Sequence, residues 1–208
     1  MNKCIIIAGG KFPKTIEGEF FKDSYIICAD SGYDFALEKK LKPDLVLGDF
    51  DSISKAGKDL LRRLNDSEVE VFLVKKDKSD TELAIDIAIK KRFNEIYILA
   101  GLGTRMDHSL TNILSLKAYY NRNIKMTIVD DNNSIFYTED KVSLKKTDRY
   151  VSFVPIVKSI ISLSGFEYNL NREELSVGRS RQISNKIIAD EAYLRVHKGG
   201  VFVLLSED

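Results

Sequence analysis

Over its first 130 residues the chain alternates short β-branched runs with segments of helical periodicity, and few architectures accept that order. Apolar runs lie at 3–8, 25–28, 45–47, 69–74, 95–99 and 125–129. Between most of them, 33–40, 55–64, 80–91 and 109–120 repeat apolar residues three and four apart, as a helix with one buried face does. A helical crossover returns the chain to the same end of a sheet, so such strands pair in parallel. The runs are almost continuously apolar, as strands covered on both sides must be. The expectation is an α/β fold, a mostly parallel sheet with helices on both faces.

From Ser134 onward the helical spacing stops. Runs at 134–137, 141–145, 150–154, 159–163 and 200–205 are short and β-branched, with polar turns between them. A smaller all-β, sandwich-like domain is expected there, with the boundary at the polar turn Asp130-Asp131-Asn132-Asn133. The expected domains are 1–133 and 134–208. Charge excludes some partners: Lys plus Arg is 32 against Asp plus Glu 31, a formal charge of +1. That balance argues against a general nucleic-acid or anionic-membrane binder. No run of about 18 apolar residues exists, and the apolar stretch near the start is too short for a signal peptide. Cys4 and Cys28 sit inside apolar runs and read as buried thiols in a reducing, cytoplasmic setting.

The polar clusters of the first domain all follow expected strands. They are Gly9-Gly10, Ala29-Asp30-Ser31-Gly32, Gly48-Asp49-Phe50-Asp51-Ser52, Lys75-Lys76-Asp77-Lys78-Ser79-Asp80, and the run from Gly101 to His108. Carboxyl ends of strands form the ligand crevice of open α/β sheets, so these clusters share one rim. If the third cluster is extended, Asp49 and Asp51 point the same way. Two adjacent carboxylates repel, and a divalent cation is one way to keep both ionised. A solvated loop or a helix cap is the alternative. Asp80 and Asp107 add carboxylates at neighbouring strand ends, and an all-oxygen set suits Mg²⁺. Ser79 and Glu82 have capping-box spacing, which leaves Asp80 for the site. The glycines read as loops whose amides face an anion, with Arg105 as a bidentate phosphate clamp. Lys76 and Lys78 either neutralise charge or are solvated, and His108 either contacts a ligand or makes a structural bond. His197 precedes Lys198-Gly199-Gly200 and is expected in a hairpin turn. Neither a P-loop nor a dinucleotide fingerprint is present. The chemistry points to Mg²⁺-dependent phosphoryl or nucleotidyl transfer.

Those clusters, in order, resemble the thiamine pyrophosphokinase family. The matching segments are Ala29 to Gly32, Gly48 to Ser52, Lys78 to Ala84, Gly101 to Asn112, and Gly178-Arg179-Ser180-Arg181-Gln182-Ile183-Ser184-Asn185. The resemblance implies an α/β domain followed by a β domain, and transfer of the pyrophosphoryl group of ATP to the thiamine hydroxyl with release of AMP. It implies that Asp49, Asp51 and Asp80 hold Mg²⁺, with Asp107 a further active-site acid. Asp30, Ser31, Gly101, Arg105, Thr111 and Asn112 resemble the nucleotide pocket, and Ser184 and Asn185 the thiamine side. A homodimer with shared sites is implied too. The chain lacks tryptophan, so Phe166, Tyr168 and His197 are the aromatic candidates beside thiamine. The rivals are a pyrophosphokinase for another alcohol such as a pterin, a non-catalytic nucleotide- or thiamine-binding regulator, and a structural dimer.

Overall fold

The computed structural model describes residues 2–61, 70–73 and 78–208. Residues 62–64 of the expected second helix lie outside them, as do Val69, Val74, Lys75, Lys76 and Asp77. The chain divides into two compact units, one of Met1–Ser115 and Asn123–Asp131, the other of Leu116–Arg122 and Asn132–Asp208.

The first unit holds strands β1 (Lys3–Ile7), β2 (Ser24–Ala29), β3 (Leu45–Gly48), β4 (Glu70–Leu73), β5 (Glu95–Leu99) and β6 (Lys125–Val129). They run in parallel in the order β4-β3-β2-β1-β5-β6. Helix α1 (Gly18–Phe21) is a short turn that the periodicity did not signal. It is followed by α2 (Gly32–Glu38), α3 (Lys55–Leu61), α4 (Asp80–Lys90) and α5 (Met106–Ala118). Side chains alternate across the sheet. Ile5, Ile7, Ile26, Cys28, Val46 and Leu99 pack with Tyr33 and Ala36 of α2. Cys4, Ile6, Ile27, Leu45 and Leu47 alternate with them and are fully buried. Helix α4 packs on β1, β2 and β3 and buries Ala84, Ile85 and Ala88. Double coverage explains why these strands read as unbroken apolar runs.

The second unit is built from antiparallel strands. β7 (Asn133–Thr138), β13 (Val201–Ser206) and β9 (Tyr150–Pro155) pair in the order β7-β13-β9. β8 (Lys141–Lys145), β10 (Ser159–Ser164), β11 (Leu170–Leu175) and β12 (Glu191–Lys198) form a second sheet, β11-β10-β12-β8. Val151, Phe153, Ile161, Leu163, Leu194 and Val203 share one core, where Phe153 meets Phe166 edge to face at 5.5 Å. His197 is inside β12 and not in a turn. Gly199 and Gly200 carry the chain from one sheet to the other, so no hairpin joins β12 to β13. Among the described residues no helix is long and apolar enough to cross a membrane.

Candidate active site

The order of the parallel sheet decides where a ligand fits. Strands proceed outward from β1 to β4 on one side and from β5 to β6 on the other, so the loops after β1 and β5 part and leave a crevice. A cavity of about 720 Å³ opens there. All five loops at the carboxyl ends of β1 to β5 line it: Gly9, Gly10 and Lys11; Asp30 and Ser31; Asp49, Asp51 and Ser52; Ser79, Asp80 and Thr81; and the segment from Ala100 to Asn112.

Two glycines permit the convergence. A Cβ on Gly32 would lie 2.1 Å from the Ile7 carbonyl oxygen, so only glycine lets the start of α2 rest on the end of β1. A Cβ on Gly10 would lie 2.3 Å from the Ala100 carbonyl oxygen. The Gly10 amide donates to that oxygen at 2.8 Å, Lys11 N–H donates to Leu102 O at 2.8 Å, and Gly103 N–H donates to Ser109 Oγ at 3.0 Å. These three amides are spent on joining the loops. The expectation that the loop amides face an anion is corrected for Gly10 and Gly103, whose N–H groups are already bonded within the protein.

Asp30, Asp49 and Asp51 each bring one carboxylate oxygen to a common point, the three within 4.8 Å of one another. The convergence of Asp49 and Asp51 does not come from an extended strand. Phe50 is left-handed, with φ 64°, and Asp51 N–H donates to Asp49 Oδ1 at 3.1 Å, closing a turn. Asp30 is left-handed as well, with φ 51°. Its Oδ2 accepts from Ser52 Oγ, while its Oδ1 is buried without a hydrogen-bond partner. Burial, with the charges of Asp80, Asp49 and Asp51, pushes the Asp30 carboxyl above the usual range against the opposing Ser52 bond. An orphaned buried oxygen amid repelling carboxylates fits a hard cation, and a purely oxygen donor set fits Mg²⁺. Asp30 was expected in the nucleotide pocket, and the geometry adds it to the acidic group. Asp80 lines the same cavity from the start of α4, where Ser79 Oγ accepts from Glu82 N–H at 3.2 Å.

The remaining expected residues divide. Arg105 lines the cavity and forms a two-point pair with Asp107, Nη2 to Oδ2 at 2.6 Å and Nε to Oδ1 at 3.2 Å. That guanidinium draws the Asp107 carboxyl down to about 2. Asp107 and Thr111 are not among the lining residues, and Thr111 Oγ1 donates back to Asp107 O at 2.8 Å. Gly101 and Asn112 line the cavity, with Asn112 Nδ2 donating to Gly101 O at 2.7 Å. His108 also lines it. Lys78 turns instead to Asp86 at 2.7 Å and Glu82 at 3.7 Å. Ser52 and Lys11 had no assigned role. Only their adjacency to Asp51 and Gly10 hinted at one.

Ser184 and Asn185 belong to the second unit. Ser184 is left-handed, with φ 58°, and its N–H donates to Ser152 Oγ at 2.9 Å. Asn185 is buried, and its side-chain amide ties its own segment to Tyr168. Oδ1 accepts from Tyr168 N–H at 3.1 Å and Lys186 N–H at 2.9 Å, and Nδ2 donates to Tyr168 O at 2.9 Å. Of the aromatic candidates, Phe166 is fully buried, Tyr168 is exposed, and His197 is bonded to Ser162 and Arg172.

The model of the thiamin pyrophosphokinase catalytic domain matches residues 17–128. The chain belongs to the thiamine pyrophosphokinase family. A second model, the thiamin pyrophosphokinase vitamin B1 binding domain, matches residues 138–200. The thiamine pyrophosphokinase of Bacillus subtilis (strain 168) is 31% identical over 217 residues, covering 100% of both chains. A crystal structure of thiamine pyrophosphokinase from Bacillus subtilis matches with a TM-score of 0.91 at 30% identity, over 99% of each chain. One from Geobacillus thermodenitrificans matches with a TM-score of 0.89 at 26% identity, over 99% of this chain and 98% of that one. Membership in the thiamine pyrophosphokinases makes the chain an enzyme, which removes the regulatory and purely structural readings.

Proposed function

We propose that the chain transfers the terminal diphosphoryl group of ATP to the hydroxyl of thiamine in a Mg²⁺-dependent reaction. A bond forms between the thiamine oxygen and the β-phosphorus, the bond from that phosphorus to the α,β-bridging oxygen breaks, and AMP leaves. The observation that carries the reading is the convergence of Asp30, Asp49 and Asp51, with a buried unpartnered oxygen, in a cavity at the carboxyl ends of the strands. Asp30, Asp49 and Asp51 would hold the cation, with Asp80 beside them. Bound there, Mg²⁺ supplies charge neutralisation to the polyphosphate, which otherwise repels a nucleophile.

The chain's own groups do the rest. Arg105 and Lys11 line the cavity on the loops after β5 and β1 and would compensate charge developing at transfer. Asp107 holds the Arg105 guanidinium by two points and so fixes its direction. The proton of the attacking hydroxyl goes to a carboxylate of the acidic rim, Asp51 or Asp80. The cationic thiazolium of thiamine is drawn by the same acidic rim. The segment at Ser184 and Asn185 is assigned to the thiamine side, supported by the vitamin B1 binding model over 138–200. Two copies would complete each other's sites, in the cytoplasm, where the buried free thiols of Cys4 and Cys28 stay reduced.

The test is AMP formation from ATP, with the acceptor product identified by mass. Formation that requires both Mg²⁺ and thiamine is the expected result. AMP formed equally with a pterin alcohol, or without divalent cation, would overturn it.

A further inference from the structure

On the outward side of the four-stranded sheet, three strands bring unusual chemistry to one spot. Ser162 on β10 lies 2.8 Å from His197 Nε2 on β12 and accepts from the Arg172 backbone N–H of β11 at 2.9 Å. Arg172 Nη1 lies 3.2 Å from His197 Nδ1. Arg195, two residues before His197 on the same strand, is the register partner of Ser162. The strand pairing is irregular on both sides of β10 here, at Ile161 to Leu163 against β11 and at Ile160 to Ile161 against β12. Arg172 takes a left-handed φ of 50°, a costly conformation for a residue with a Cβ. Bulges re-aim side chains and recur beside functional sites.

A serine within hydrogen-bond reach of a histidine suggests a nucleophile and its base, but the third member forbids that. Arginine can only donate, so His197 Nδ1 accepts and the ring proton sits on Nε2. Nε2–H then donates to Ser162 Oγ and has no lone pair with which to take a proton. The hydroxyl accepts from His197 and from the Arg172 amide, and its own O–H has no acceptor among the described residues. Arg172 and Arg195 are exposed, and neither has a carboxylate partner among the described residues. The carboxylates of this sheet are occupied elsewhere. Glu173 pairs with Arg181 at 2.7 Å, Glu174 with Lys158 at 2.8 Å, and Glu191 accepts from Tyr193.

Ser162, Arg172, His197 and Arg195 thus share one exposed face of the sheet, with the Ser162 hydroxyl proton lacking an acceptor and both arginines lacking a carboxylate among the described residues. We propose that Ser162, Arg172 and Arg195, none of which lines the acidic cavity, form a binding site for a phosphate-class oxyanion on the second unit. His197 orients the Arg172 fork and the Ser162 hydroxyl and does not itself carry out chemistry. Arginine's planar fork suits phosphate oxygens, and two of them favour a diphosphate over a single phosphate.

The chain has only two histidines, so the ring resonances of His197 are a local reporter, told apart from His108 by a His108→Gln variant. Inorganic phosphate and inorganic diphosphate are titrated separately at constant ionic strength, with acetate as control. The expected result is a saturable shift of the His197 signals, tighter for diphosphate. Arg195→Gln should weaken it by about tenfold or more, and Arg195→Lys by less. The Arg195 side chain makes no hydrogen bond or ion pair among the described residues, so this variant keeps the test valid even where Arg172→Gln lowers stability. A shift that does not saturate, that acetate reproduces, or that survives Arg195→Gln unchanged overturns the proposal.

Discussion

Asp30 sits in a left-handed backbone conformation, with one carboxylate oxygen on Ser52 and the other buried without a partner. Its pKa is raised, chiefly by burial and then by its acidic neighbours. A carboxyl whose folded pKa exceeds its unfolded value favours folding at low pH, and that contribution is lost as pH rises through the raised value. Without a divalent cation, the thermal midpoint should therefore carry a loss from Asp30 on the alkaline side of the carboxylate range. Asp30→Asn should remove that loss and raise the midpoint at neutral pH, while lowering kcat/KM by on the order of 100-fold or more. Added Mg²⁺ should raise the midpoint of the unaltered chain and leave that of Asp30→Asn nearly unmoved. Thermal scans with and without Mg²⁺ check this, and an equal Mg²⁺ effect on both proteins would remove Asp30 from the cation site. The Asp-x-Asp pair stands out in the sequence as a candidate cation site. Asp30 as a third carboxylate beside that pair does not, because a left-handed turn brings it in from a different strand.

At the scale of elements, the start of α4 separates two jobs between adjacent residues. Ser79 caps the helix through Glu82 N–H, and Asp80 lines the cavity. Ser79→Ala should cost about 1 kcal/mol of stability, as cap removal commonly does. Asp80→Asn should instead abolish most turnover with the denaturation midpoint nearly unchanged. Chemical denaturation and initial rates on both variants decide it, and wild-type turnover by Asp80→Asn at limiting Mg²⁺ would sink its role. Element prediction succeeded where burial is two-sided. The strands of the parallel sheet are almost continuously apolar after their first residue, so their runs stand out. It failed at β11 and β12. The residues of β11, Leu170–Leu175, are mostly polar, because β11 is an edge strand with one neighbour. In β12 the outward positions carry Glu191, Tyr193, Arg195 and His197, which hide the inward Ala192 and Leu194.

For the whole molecule, the proposed sharing of sites between two copies predicts a species of twice the chain mass. Sedimentation equilibrium at assay concentrations should find it, and an active monomer would overturn the shared-site arrangement. Two compact units were legible as a change of hydrophobic period near residue 130, since helices and half-buried strands demand different spacings. Leu116–Arg122 belongs with the β unit, which periodicity did not signal, because a helix pattern continues into Ala118. What the sequence by itself determined is the α/β and β character of the halves, the polar clusters at strand ends, and the family resemblance carried by their order. These depend on local spacing, which a linear reading preserves. Only the tertiary structure decided the strand order that opens the crevice between the loops of β1 and β5, the bonding of loop amides within the protein, the union of Asp30 with Asp49 and Asp51, and the placing of Ser162, Arg172, Arg195 and His197 on one sheet face. Each depends on register and backbone hand at contacts between distant segments, where a single left-handed residue or bulge redirects a side chain and leaves no periodic trace.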